Sequence, residues 1–235
     1  MDTFENFVAS HDQIRKQTLI AFPKEIKLIK QGIGLFIKAE SLLDSLEPKY
    51  STREDATRTI LWRYVISIPS TAYMTLNSAI QGQYRIAYSS LRTLIEETVS
   101  IRFYVSDETR AFNLLNPKPG SRSIDHGIGA KFKGVDTNQK HPMRELYDAI
   151  SERASHANAL NTILGARTGK GGKIMRLEEP SLNNENFKFI ADAVLTLLCV
   201  SLGHLAGYFP ELRVGETMRE ELNQFGTDAE RYIRK

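Results

Sequence analysis

Three side chains with the chemistry of phosphate handling and proton transfer fall within five residues of one another in YDAISERASHANAL, residues 147–160: Glu152, Arg153 and His156. A guanidinium is a permanent cation that pairs with phosphate oxygens, and an imidazole can give or take a proton near neutral pH. On a helical wheel Arg153 lies at the edge of an apolar stripe, His156 about 60° beyond it, and Glu152 about 40° beyond His156. The neighbours Ala154, Ser155 and Ala157 are small, which leaves room for a phosphate or a facing backbone. An exposed Glu–His pair at i,i+4 contributes by itself only a few tenths of a kcal/mol, ~0.2–0.5, so a functional reading needs support from elsewhere in the chain.

That support comes from LRTLIEETVSIRFY, residues 91–104. Arg92 and Glu96 make a second i,i+4 pair at the edge of an apolar face, and Arg102 projects into the middle of that face. A buried guanidinium needs an anionic partner, because an unpaired buried charge costs several kcal/mol, ~3–5. Glu152 and Glu96 are the expected partners, with Glu152 as the structural member and Arg153 and His156 left facing a cleft. Other chemistries fit less well. In GARTGKGG only three residues separate Gly165 from Gly169-Lys170, and Gly171 stands where a phosphate loop needs Ser or Thr. No Cys pair and no His-Glu-x-x-His is present, so no metal or other cofactor is expected.

These residues must be held by helices. Pro23 suits a first helical position, and Ile26, Ile29, Ile33, Phe36, Ile37 and Leu43 then follow helical spacing up to Pro48. Ser51 with Glu54 predicts a capping box for a helix through Trp62, Val65 and Ile66, kinked at Pro69 and continuing to about Ile80. A third helix is expected from about Gln83 to Val105, after which Ser106 caps a short one in DETRAFNLL. Asn116 to Asn138 lacks periodicity and reads as a long surface excursion. From Pro142 a helix carries Met143, Leu146, Tyr147, Ile150 and Ala154 on one side, running through Ser151 into the candidate site. A second glycine-rich loop, GARTGKGGK, and a buried helix after Asn183 follow. The C-terminal segment reads as one or two short surface helices broken near Gly226. The expectation is a single all-α domain over 1–235: a bundle core at 20–209, surface helices at 210–235, and two long, basic, glycine-rich loops.

Arg92-Thr-Leu-Ile-Glu96 on one helix and Tyr147-Asp-Ala-Ile-Ser151-Glu152-x-x-x-His156 on a later one resemble the signature of a family of uncharacterised bacterial helical proteins. Those are similar in arrangement to the higher-eukaryote and prokaryote nucleotide-binding (HEPN) superfamily, and the resemblance covers about residues 55–205. It implies a frequently dimeric helical bundle in which an Arg and a following His form a metal-independent endoribonuclease site of toxin or antiviral-defence type. On this chain Arg153 would hold the scissile phosphate and His156 would act as acid or base. Only Ala154 and Ser155 separate them, closer than in the superfamily pattern. The alternative is a non-catalytic helical module that recognises a partner protein or a small phosphorylated ligand.

Composition bounds these readings. At 235 residues the chain can bury roughly 70% of its unfolded surface. Its 41% hydrophobic and 25% charged residues indicate an ordinary globular protein. A single cysteine, Cys199, excludes an internal disulfide and suits a reducing compartment, so a cytoplasmic protein is expected. The N-terminus lacks the cationic start and apolar run of a secretory signal. Residues 190–209 are the most apolar, but Asp192 and His204 interrupt them, so a core helix rather than a membrane span is expected. Between Lys118 and Arg176 eleven basic residues face five acidic ones, although the whole chain is only +3. Lys170 and Lys173 in the second loop would contribute phosphate contacts, and RNA is the expected polyanion. A homodimer is expected from Tyr84, Tyr88 and Tyr104 on one helix and the small residues Ser201, Gly203, Ala206 and Gly207 on another.

Overall fold

A computed structural model of the chain describes residues 3–44, 47–117, 127–135, 143–151, 182–214 and 216–234. Every regular element among them is a helix: α1 (Thr3–Ala21), α2 (Pro23–Leu43), α3 (Arg53–Ile80), α4 (Tyr84–Val105), α5 (Glu108–Leu115), α6 (Ile128–Val135), α7 (143–151), α8 (Asn184–Tyr208), α9 (Glu211–Val214) and α10 (Glu216–Ile233). The fold is an all-α helical bundle. Its centre is made by α2, α3, α4 and α8, whose inward faces carry Phe36, Leu61, Ile68, Leu91, Ile95 and Leu198 with essentially no solvent contact. α5 lies on α3, α6 lies on α4, and α10 covers α2 and α8.

Local chemistry sets the helix boundaries. Pro23 opens α2, where its missing N–H has no intrahelical partner to lose. The N-cap of α3 is Thr52, whose Oγ1 accepts the Asp55 N–H at 3.0 Å. The cap therefore falls one residue beyond the expected Ser51, whose hydroxyl instead donates to the Asp55 carboxylate at 3.0 Å. α3 continues as helix through Pro69. It ends at Gly82, whose φ of 73° is a left-handed conformation that glycine adopts without strain. Asp107 rather than Ser106 caps α5, accepting the Thr109 N–H, because Ser106 is already closing α4 by donating to the Phe103 carbonyl. Asn183 caps α8 by accepting the Asn186 N–H at 2.9 Å.

Two further expectations change. Residues 128–135, expected within a surface excursion, form α6, anchored by the buried Phe132. It lies so close on α4 that a Cβ at Gly134 would stand 2.6 Å from the Phe103 ring. The C-terminal segment is one helix that runs through Gly226. The roughly 1 kcal/mol cost of an interior glycine is outweighed by burial of Met218, Phe225 and Ala229 along one face. Phe225 fits only because residue 32 of α2 is glycine, where a Cβ would stand 2.7 Å from its ring. α1 touches the body through a narrow stripe of His11, Ile14 and Thr18. The His11 Nδ1 lies 3.2 Å from the Gln81 carbonyl, which can only accept, so that nitrogen carries the proton.

The tyrosines expected at a dimer surface are used inside the fold. Tyr88 and Tyr104 are 5% and 2% exposed, Tyr88 donates to Asn186 Oδ1, and Tyr84 donates to the Asn183 carbonyl. Ser201 is also buried, its hydroxyl donating to Thr98 at 2.9 Å. Among the described residues one helix, α8, is long and apolar enough to cross a membrane, and 56% of its most apolar window is buried within the protein.

Candidate functional site

α4 presents a polar row one turn apart, Arg92, Glu96 and Ser100, along the side that α6 and α7 flank. Arg92 Nε donates to Glu96 Oε1 at 3.2 Å and to the Tyr147 hydroxyl of α7 at 3.0 Å. The Tyr147 hydroxyl in turn donates to Glu96 Oε1 at 3.0 Å, closing a three-membered ring of contacts. The Arg92 guanidinium also stands over the Tyr147 ring, 5.1 Å from its centre. Phe132 of α6 meets the same ring edge-on at 5.5 Å. Tyr147 is thus wedged between α4 and α6, and its hydroxyl is aimed by packing.

One turn along, Ser100 donates to the Glu96 carbonyl at 2.6 Å and accepts from the Lys131 ammonium at 2.7 Å. The Lys131 Nζ lies 6.0 Å from the centre of the Tyr104 ring. Burial lowers the Lys131 pKa from the usual lysine range, and the charge of Glu96 opposes that shift. Burial likewise raises Tyr147, helped by its hydrogen bond to Glu96, so it is a neutral phenol at physiological pH. For Arg92, burial acts to lower the pKa but is outweighed by Tyr147 and Glu96, and the group stays fully charged.

The charge balance is uneven. Arg92 and Lys131 are two cations sharing the field of one carboxylate, Glu96, and Lys131 has no carboxylate within ion-pair distance among the described residues. Arg92 uses only Nε in these contacts, leaving both terminal nitrogens without a protein partner among the described residues on a side chain 44% exposed. Such a fork is the geometry that takes two oxygens of a phosphate or carboxylate.

Several predicted site residues lie elsewhere. Arg102 is half-buried rather than enclosed in the apolar face, and it lies close enough to His204 of α8 for its charge, after burial, to lower the histidine pKa. Its position in the last turn of α4 explains the difference, since a long side chain at a helix end can bury its stem and keep its head near water. Ser151 is half-buried at the end of α7. Glu152, Arg153, His156, Lys170 and Lys173 lie outside the described residues, and with them the expected pairing of Glu152 with Arg92 or Arg102. Sequence reasoning missed two members of the observed cluster. Tyr147 was read as part of an apolar face and as the first residue of the family signature, without a role at the site, and Lys131 as part of a basic loop. The spacing of Ile128, Phe132 and Val135 at i, i+4, i+7 was the available signal for α6.

Among the described residues no group of three His, Cys, Asp or Glu side chains is placed to hold a metal ion. No protein-family model matches the chain, and no curated protein or solved structure matches it at a significant level.

Proposed function

We propose that the protein binds a phosphate-bearing ligand, RNA, on the Arg92–Lys131 face of α4, and acts as a HEPN-like, metal-independent endoribonuclease of toxin or antiviral-defence type. The observation that supports this most is the pairing of two cations with one carboxylate, with the terminal nitrogens of Arg92 unengaged by the described residues. An anion would complete the charge balance. α7, which carries Tyr147 to this face, leads directly in sequence to Arg153 and His156. In this reading Arg92 and Lys131 hold the backbone of the RNA, Arg153 the scissile phosphate, and His156 moves the proton. The protein works in the cytoplasm as a homodimer, for which light scattering at micromolar concentration should return twice the chain mass.

The test is cleavage of labelled RNA by purified protein. General acid–base catalysis by one imidazole contributes ~10²- to 10⁴-fold, so His156→Ala should abolish cleavage while leaving the melting temperature unchanged, and EDTA should have no effect. Growth arrest and RNA degradation on expression in bacteria should both disappear with the same substitution. A second reading is favoured by the completeness of the Arg92 setting, in which Tyr147 and Glu96 fix the guanidinium without any proton-transfer group. On that reading the protein is a non-catalytic module for a partner protein or a small phosphorylated ligand. Cleavage is then absent, and binding survives His156→Ala but is lost in Arg92→Ala.

A further inference from the structure

The chain has a second recess, built from different residues. Between segment 47–50 and the first turns of α3 lies a cavity of about 240 Å³, whose lining includes Glu47, Lys49, Asp55, Arg58 and Trp62. Its outer wall is held in place: the Lys49 N–H donates to Thr59 Oγ1 at 3.2 Å, and the Thr59 hydroxyl donates back to the Lys49 carbonyl at 2.9 Å. The next residue is fastened too, because Asn116 Nδ2 donates to the Tyr50 carbonyl at 3.1 Å. The recess is therefore preformed. Its volume falls below the roughly 300–1,000 Å³ of sites for drug-sized molecules, which restricts an occupant to a small metabolite.

Its polar groups come in two sets. Arg58 gives Nη2 to Glu211 and lays its guanidinium over the Phe209 ring at 5.1 Å, which leaves Nε and Nη1 without partners among the described residues. The Trp62 indole lines the recess as well, but its N–H has essentially no accessible surface and does not open onto it. The remaining Arg58 donors call for an anionic acceptor. The lining also carries two carboxylates, Glu47 and Asp55. Hydrogen bonds from Thr52 and Ser51 hold the Asp55 carboxyl below its usual range, against a small opposing effect of burial, so Asp55 is ionised at neutral pH. With two cations, Lys49 and Arg58, and two carboxylates, Glu47 and Asp55, the lining carries no net charge. A phosphate dianion would meet two carboxylates there, and a simple amine would leave the Arg58 donors unanswered.

We propose that this recess binds a free α-amino acid, its carboxylate on Arg58 and its ammonium on Asp55 and Glu47. The site is independent of the Arg92 face and needs no nucleic acid. Trp62 is the only tryptophan in the chain, so its emission reports the recess directly. Titration with each common amino acid should produce a saturable change in Trp62 emission for at least one of them below about 10 mM, confirmed by calorimetry. Its decarboxylated amine and its deaminated acid should each bind at least about tenfold more weakly. Glu47→Gln, at an exposed position that carries no packing, should weaken the amino acid while leaving the deaminated acid unaffected. The proposal is overturned if no amino acid gives a fluorescence or calorimetric signal at about 10 mM. It is equally overturned if either single-charge analogue binds as well as the zwitterion, or if Glu47→Gln leaves amino-acid affinity unchanged.

Discussion

Arg58 and Arg92 are given the same partners in kind and used differently. Each guanidinium lies 5.1 Å from an aromatic ring, Phe209 for Arg58 and Tyr147 for Arg92, and each pairs with a glutamate. Arg58 is 18% exposed and reaches Glu211, 153 residues away in sequence, so it ties α9 to α3. Arg92 is 44% exposed and pairs with Glu96 on its own helix. The Arg58 ion pair joins two helices, whereas the Arg92 ion pair stays within one helix and only the Tyr147 contact reaches a second. The second arrangement leaves a charged fork presented to solvent, which is why the proposed polyanion is assigned to the Arg92 face rather than to the Arg58 contact.

Breaking the Arg58 contact should have the largest effect on stability. Arg58→Ala leaves Glu211, one of whose oxygens is already buried without a partner, next to apolar surface. Because Glu211 is 40% exposed, the cost is set below that of a fully enclosed pair, at about 2 kcal/mol. Thermal unfolding should then show a fall of about 4–8 °C in Tm. A change within error would make this pair an ordinary surface contact and erase the distinction drawn between the two arginines.

Arg92→Ala should do the reverse. Exposed i,i+4 pairs contribute little, so Tm should move by less than about 2 °C. Affinity for a short RNA, measured by anisotropy at fixed salt, should drop at least about tenfold, equivalent to about 1.4 kcal/mol. A large loss of stability with unchanged RNA affinity would turn Arg92 into a second staple.

Tyr147→Phe sharpens the point further. It keeps the ring beneath Arg92 and against Phe132 but removes the hydroxyl that touches both Arg92 and Glu96. The loss of aim should weaken RNA binding by about 1 kcal/mol, roughly fivefold, with a smaller effect than deleting the arginine itself. Equal effects of the two substitutions would mean that the ring and hydroxyl, not the guanidinium, carry the recognition.

The smallest expected effect lies on the side of α4 that faces α3. Glu97 is half-buried, and burial, with a smaller contribution from the neighbouring Glu96 charge, raises its carboxyl above the usual carboxylate range despite hydrogen bonds with Ser67 and Thr71. A carboxyl whose folded pKa is raised contributes stability that is present below the unfolded pKa and lost as pH climbs through the folded value. Tm measured from pH 4 upward should therefore contain a declining component that Glu97→Gln removes, leaving the variant slightly more stable at neutral pH. An unchanged pH profile would place Glu97 in water and separate it from the Arg92 row only by angle, not by environment.

Much of this architecture was legible in the linear sequence. Helix period, Pro23 and the runs of apolar residues in α2, α3, α4 and α8 specify an all-α bundle, because 3.6-residue spacing and capping chemistry act within a few residues of chain. The Arg92–Glu96 pair was legible for the same reason, since i,i+4 neighbours on a helix meet whatever the rest of the fold does. Tertiary structure decided what those elements touch. It turned Gly226 from a break into an interior residue by giving Phe225 a slot over Gly32, and it raised a lysine-rich loop into α6 by burying Phe132. It also brought Tyr147 and Lys131 to the row of Arg92, Glu96 and Ser100, and Glu211 to Arg58, across separations of 31 to 153 residues. Sequence carries the cost and gain of local contacts; long-range ones form only where burial of apolar surface repays the ordering of distant segments, and that balance is struck by the packed molecule as a whole.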